Sequence, residues 1–323
     1  MDKEYMLTVF LITYNHVDTF ERAIKSVLSQ KTSFSFKTVI LDDASTDGTS
    51  ELVRKYAGVP DVFPVIREVN SGGNNFYWGL LQELDTRYFA ILETDDYWCD
   101  DNKLQMQFDI LEANPDCSFC AHNTMIRIGA TGAEKKYLDV PDRKYTFPVR
   151  KLTSRYYIEP HTSSKMIRSE CLDLKNIRDP LVAVYDIANN FYCFTKGNLY
   201  YIDRMMSVYN YNEKGIYSGL SSYEQRFRSA GVVYAVNKEL DFRYNHLLSR
   251  FFATRINLFF IQYWILKFTG KRELLIKRYE RTLKRYAEKY LNKREKKPIF
   301  QFSIPFSRKA SLVLELRREK ERA

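Results

Sequence analysis

RYFAILETDDYWCDDNKLQMQFDILEANP, Arg87 to Pro115, runs from an apolar stretch through a knot of acids into a helical pattern. The first part has no polar alternation, as in a strand buried on both faces. The last part spaces its apolar residues as a helix does. Between them, five carboxylates (Glu93, Asp95, Asp96, Asp100 and Asp101) fall within eleven residues, split by Tyr97 and Trp98. Like charges repel, so this crowding needs either a positive partner or a loop whose acids cap the next helix.

The alternation continues on both sides. MLTVFLI reads as a strand, and HVDTFERAIKSVLSQ as a helix with Phe20, Ile24, Val27 and Leu28 on its apolar face. Asp18 and Glu21 have the spacing of a capping box. FKTVIL reads as a strand, DDASTDGTSELVRKYA as a turn entering a helix, and VFPVIRE as a strand. VNSGGNN is a glycine turn, FYWGLLQEL a helix, and CSFCAHNTMIRI a further strand. Residues 129–160 look irregular. EPHTSSKMIRSECLDL reads as a short strand and helix, LVAVYDIANNFYCFTKG as a helix with Asp186 near its start, and NLYYIDRMMSVYNYN as strands. Apolar strands alternating with helices predict an α/β fold, a mostly parallel central sheet flanked by helices.

Ligands of such sheets bind at the carboxyl ends of the strands. Four polar loops are expected there: Thr13-Tyr14-Asn15-His16, Asp42-Asp43-Ala44-Ser45, Asn70-Ser71-Gly72-Gly73-Asn74 and Glu93-Thr94-Asp95-Asp96. Carboxylates without a Cys/His cluster suit a hard divalent cation, Mg2+ or Mn2+, which would neutralise a bound diphosphate. Asp95 and Asp96 are adjacent, so only a turn lets one hold metal while the other meets a ribose hydroxyl or a backbone amide. Asp100 or Asp101 is expected to cap the following helix. Asp43 could accept from a pyrimidine edge while Asp42 faces the other way, with Tyr14 over the base; Asp47 or Ser45 would cap the next helix. Cys117 and Cys120 form a CxxC, but no second Cys/His pair stands near enough in sequence to complete a zinc site. His122 reads as structural.

LTVFLITYNH, ILDDASTDGTSELVRKYA, NSGGNN, ILETDDYWCDDNKLQMQFDILEANPD, CSFCAHN and PHTSSKMIRS together resemble the family 2 inverting glycosyltransferases of GT-A fold, in order and spacing, over roughly residues 5 to 215. The resemblance implies one GT-A-like nucleotide-binding domain and a nucleotide-sugar donor, often UDP- or dTDP-linked. It implies nucleotide contacts from Thr13, Tyr14, Asn15, Asp43, Asn70 and Asp95. It makes ETDDYW the variant of the family's D-x-D metal motif, with Asp96 the first metal ligand and Asp95 beside it. It places the catalytic base at Asp186 and the acceptor or diphosphate region at Trp98, His161, Thr162 and Ser163. Two features depart from the pattern. Tyr209-Asn210 stands where many relatives have Tyr-Arg, so a diphosphate-contacting cation could come from elsewhere. The QxxRW motif and membrane helices of processive synthases are missing, which points to addition of a single sugar.

The 323 residues, 45% hydrophobic and 28% charged, exclude a disordered chain and suit one large domain with an appendage. Residues 1–220 are expected to be catalytic, with a nucleotide-sugar half to about 128 and an acceptor half from about 129, and residues 221–323 helical and basic. Residues 271–323 hold 18 Lys and Arg against 7 Asp and Glu, while residues 1–270 are nearly balanced at 32 and 33. A basic tail seeks phosphate, and its many apolar and aromatic residues fit an interfacial helix on an anionic membrane; no nucleic acid is expected, for want of an RNA-module signature. Packing on the catalytic domain or homo-oligomer formation are the tail's plainer uses. Phe251 to Phe268 is the most apolar stretch, but Arg255, Asn257, Gln262 and Lys267 argue against a bilayer span. MDKEY leads straight into the first strand, so no signal peptide is expected, and five cysteines without a secretory context suggest reduced thiols. The expected protein is cytoplasmic, at most peripheral on the inner membrane face, with a saccharide or lipid-linked acceptor. Two rivals are weaker. A nucleotidyltransferase would need a glycine-rich, basic loop after the first strand, where TYNHVDT has no glycine. A non-enzymatic membrane- or RNA-binding role would rest on the tail alone.

Overall fold

The computed structural model describes residues 4–71, 81, 84–129, 132–145, 159–171 and 186–211. Strand β1 (Leu7–Thr13) lies in the middle of the parallel part of the sheet. It pairs in parallel with β2 (Phe36–Asp42) on one side and β4 (Tyr88–Glu93) on the other. β3 (Val62–Ile66) adds to β2 and forms the edge. The edge suits Pro64, which has no N–H to give a further neighbour.

Beyond β4 the sheet is mixed. β9 (Lys165–Arg168) runs antiparallel to both β4 and β6 (Cys117–Ile128), and β10 (Asn198–Tyr211) is parallel to β6. The order is β3-β2-β1-β4-β9-β6-β10-β5, where β5 is Tyr97–Trp98. Every long strand therefore points the same way, as the apolar runs predicted. Helices α1 (Phe20–Leu28), α2 (Thr49–Arg54), α3 (Lys103–Ala113) and α4 (Asp186–Lys196) accompany the strands. The core joins Leu7, Val9 and Leu11 of β1, Ile40 of β2 and Ala90 and Leu92 of β4 to the buried face of α1.

Several details differ from the sequence reading. The Asp18–Glu21 capping box does not form: α1 opens after Thr19, which makes no side-chain cap bond, and Glu21 accepts from the Tyr56 hydroxyl at 3.1 Å. Leu28, the last residue of the helix, is exposed, while Val27 beside it is buried. Residues 129–160 contain two short strands, β7 (Ala133–Lys136) on β6 and β8 (Arg143–Tyr145) on β10. The segment read as several strands is one 14-residue strand, β10, whose register against β6 shifts between Ile202 and Ser207. Cys117 and Cys120 both lie in the core as free thiols, so the CxxC packs into the interior.

Chain contacts separate residues 1–151 and 156–219 from a second unit, residues 152–155 and 220–323. The basic tail, the Phe251–Phe268 stretch, the Gly72-Gly73 turn and all but Leu81 and Leu84 of the FYWGLLQEL helix lie outside the described residues. Among the described residues no helix is long and apolar enough to cross a membrane.

Candidate active site

The carboxyl ends of β1, β2 and β4 meet in a network built largely from short polar side chains. Thr94 donates to Thr13 at 2.7 Å and bonds the His16 ring at 2.9 Å, joining β4 to β1. Asn15 receives the Thr46 amide at 2.8 Å and gives its own amide to Ser45 at 2.8 Å, joining the first two loops. It does so from a positive φ of 56°, which asparagine tolerates better than most residues. Thr13 and Asn15 thus shape the rim, and Tyr14 between them stands 40% exposed.

Asp42 and Asp43 divide as expected. The fully buried Asp42 carboxylate accepts from Ser45 and Ser50 and closes the turn. Asp43 turns the other way, where its oxygens take the Ser71 amide and hydroxyl, each at 2.9 Å, with the Arg67 guanidinium 3.8 Å away. Asn70 donates to the Asp43 carbonyl at 2.9 Å. Asp47 accepts from the Thr49 amide and hydroxyl and holds the start of α2.

The acid stretch separates into two sets. A turn after β4 brings Glu93, Asp95 and Asp96 together, with one oxygen from each within 4.8 Å of the others. Among the described residues this is the one group of three or more potential ligands so placed. Asp96 is 1% exposed. Its Oδ1 accepts the Asn210 amide at 3.0 Å, and Oδ2 lies 3.8 Å from His161 Nε2. Burial first, then the charges of Asp95 and Glu93, raise its carboxyl well above the usual range, against the Asn210 amide and the Arg22 charge. Asp95 Oδ1 is a buried oxygen with no hydrogen-bond donor among the described residues. Crowded acids, one with an oxygen unpaired among the described residues, could hold a hard divalent cation, Asp96 and Asp95 offering oxygens and Glu93 in reach.

Asp100 and Asp101 are structural. Asp100 accepts the Asn102 amide at 3.0 Å where the chain enters α3 and pairs with Arg204 at 2.6 Å. Asp101 does not cap; it accepts from Ser29 at 3.0 Å, because the end of α1 lies beside it.

The second half of the site comes from the 161–164 turn and β10. His161 stacks on Tyr209 with ring centres 4.5 Å apart, and its Nδ1 meets the Ser163 hydroxyl at 2.8 Å. Thr162 and Ser163 are buried. Trp98 is 3% exposed and gives its indole N–H to the Ser163 carbonyl at 2.9 Å, so it packs beneath this turn. His122 is structural: buried, its Nδ1 bonded to the Asn123 carbonyl, and held well below its ordinary pKa by burial. Asp186 is the first residue of α4; its side chain lies outside the described residues.

Sequence reasoning missed Asn210, read above only as a lost arginine. Its amide binds Asp96 and its side chain donates to the Asp95 carbonyl at 2.5 Å, so it holds the acid turn in shape. Arg22 also went unnoticed. It lies 4.4 Å from the Tyr97 ring centre and its charge reaches Asp96. Nothing local marks either residue, since each acts on a turn far away in sequence.

A mostly parallel sheet with a polar, acid-bearing carboxyl rim and a buried second half beside it defines a GT-A glycosyltransferase. Residues 8–170 match the family described as Glycosyl transferase family 2, and the chain belongs to that family. It is 32% identical over 126 residues to TuaG of Bacillus subtilis, described as a teichuronic acid biosynthesis glycosyltransferase, covering 38% of this chain and 49% of TuaG. Its fold is similar to that of Staphylococcus aureus TarS 1–349 in complex with UDP, at a TM-score of 0.60 and 17% identity, over 87% of this chain and 80% of TarS 1–349. The mannosyltransferase PcManGT of Pyrobaculum calidifontis, in complex with GDP-Man and Mn2+, matches at a TM-score of 0.54 and 15% identity, over 96% and 84% of the two chains.

Proposed function

We propose that the protein is a non-processive inverting glycosyltransferase that moves one sugar from a UDP- or dTDP-linked donor to a hydroxyl of a polysaccharide or glycolipid acceptor. The observation that carries this reading is the Glu93, Asp95 and Asp96 group at the carboxyl rim, with an Asp95 oxygen that has no donor among the described residues. A divalent cation bound there supplies positive charge for a diphosphate leaving group. The UDP in TarS and the GDP-Man and Mn2+ in PcManGT support a nucleotide-sugar donor and a metal.

In this reading Tyr14 lies over the base and Asp43 meets its edge, with Thr13, Asn15 and Asn70 shaping the cleft. Asp186 takes the proton of the acceptor hydroxyl as that oxygen attacks C1 opposite the diphosphate. The C1–O bond to the diphosphate breaks as the new one forms, through an oxocarbenium-like state. His161, Thr162 and Ser163 face the acceptor or the diphosphate, with Trp98 beneath them. Arg22 supplies a cation near the acids where Asn210 does not. The basic tail docks the enzyme on anionic lipid at the inner membrane face.

A thermal-shift panel of UDP, dTDP and GDP with and without Mn2+ tests the site. UDP or dTDP should raise Tm only with metal, and Asp96→Ala should remove the effect. No response to any nucleotide in the wild type would sink the reading.

A further inference from the structure

Helix α3 turns two polar side chains into the protein interior. Lys103 is 0% exposed, and its Nζ has no hydrogen-bond partner among the described residues. Gln107, one turn later, is equally buried and gives Nε2 to the Ser164 carbonyl at 2.8 Å and the Cys120 carbonyl at 3.1 Å. Burying an amine without an acceptor is costly, and an apolar side chain of similar length would fill the space more cheaply. The Lys103 Nζ lies 3.9 Å from the Trp98 ring centre, over its face, where a cation is attracted to the ring. The same indole donates to the Ser163 carbonyl at 2.9 Å. Two side chains tied to α3, Trp98 through Lys103 and Gln107 directly, therefore grip successive carbonyls of the 161–164 turn. From that turn the Ser163 hydroxyl reaches His161 at 2.8 Å and Ser207 at 3.0 Å, and His161 lies 3.8 Å from Asp96.

We propose that Lys103 is a positioning residue: its buried amine holds the Trp98 indole, and through it the 161–164 turn, against the acid site. The packing part stands on the geometry alone, and only its effect on ligand binding rests on the glycosyltransferase reading. The contact orients Trp98 because the amine must stay over the ring face; an apolar side chain would let the indole tilt and lengthen its bond to Ser163.

The test is Lys103→Met in the full chain, measured below pH 7, where the amine is charged. The chain has three tryptophans, so the Trp98 indole N–H signal in a 15N NMR spectrum is assigned by its loss in Trp98→Phe. In the wild type that proton should resist exchange with water. In Lys103→Met it should exchange at least ~10-fold faster, Mn2+-dependent UDP binding should weaken about tenfold, and Tm should not fall. The two substitutions should be non-additive for UDP binding, since both break one link. An unchanged indole signal, or additive effects, overturns the proposal. So does a fall in Tm with the indole still protected, which would make Lys103 a packing residue only. If Lys103→Met does not melt cooperatively, Lys103→Gln is measured in its place with the same outcomes. If wild-type protein binds no UDP with Mn2+, the donor reading fails, while the indole exchange still decides the clamp.

Discussion

Asp95 and Asp96 are neighbours in sequence yet meet different surroundings. Asp96 is buried against the Asn210 amide, while Asp95 keeps one oxygen without a donor among the described residues. Asp42 and Asp43 split likewise, one spent on closing a turn and the other directed at Ser71. The acids and their division were visible in sequence; the partners that hold Asp96 and Asp43 were not, because the Asn210 and Ser71 amides come from segments far along the chain. Asp186→Asn should leave nucleotide binding intact and lower transfer by about 10²-fold or more, the scale of a lost general base. Unchanged transfer would remove Asp186 from that role. Lys103 supplies a stability test. Burial pushes its amine down to about 7 from an ordinary 10.5. Between those values the unfolded chain holds a proton that the folded chain does not, so this group favours folding more as pH rises from 7 to 10.5. Relative to Lys103→Met, the wild type should be at its greatest disadvantage below pH 7 and recover on the order of 4 kcal/mol by the upper end of that window. Urea melts of both proteins across the range check this, and a constant difference would contradict it.

At the scale of elements, the strands with strong apolar character were legible and the weak ones were not. β1, β2, β4 and β6 announce themselves because burial on both faces demands apolar runs. β7 reads AEKK and is wholly exposed, and its pairing with β6 rests on backbone bonds and the Arg127–Glu134 ion pair, which leave no apolar pattern. The missing capping box has a similar cause: Asp18 and Glu21 have the right spacing, but the Tyr56 hydroxyl claims Glu21. Gly197 joins α4 to β10, and a Cβ there would lie 2.8 Å from the Asp116 carbonyl and the Ser118 amide. Both are backbone atoms that cannot swing aside. Gly197→Ala should cost on the order of 2 kcal/mol or more in urea unfolding, as overpacking against backbone does. Wild-type stability in that variant would show that the junction can give.

For the whole molecule, charge is unevenly distributed along the chain. The surplus of basic residues sits in 271–323, while the rest of the chain is near balance. If the tail docks on anionic lipid, the full chain should co-sediment with phosphatidylserine-containing vesicles at low salt and be released as salt screens the charges. Equal binding to neutral vesicles, or binding unaffected by salt, would count against this. The sequence by itself determined the alternation of strands and helices, the placing of acids after a buried strand, and the likeness to family 2 glycosyltransferases. Each is a local matter of residue type and spacing along a few turns or strands of chain. Only the tertiary structure decided that Asn210, 114 residues away, shapes the acid turn, that Trp98 lies under the 161–164 turn, and that Lys103 points inward. Those facts depend on side chains meeting across the sheet, and the free energy that selects them comes from contacts between residues far apart in the chain, which no short-range pattern encodes.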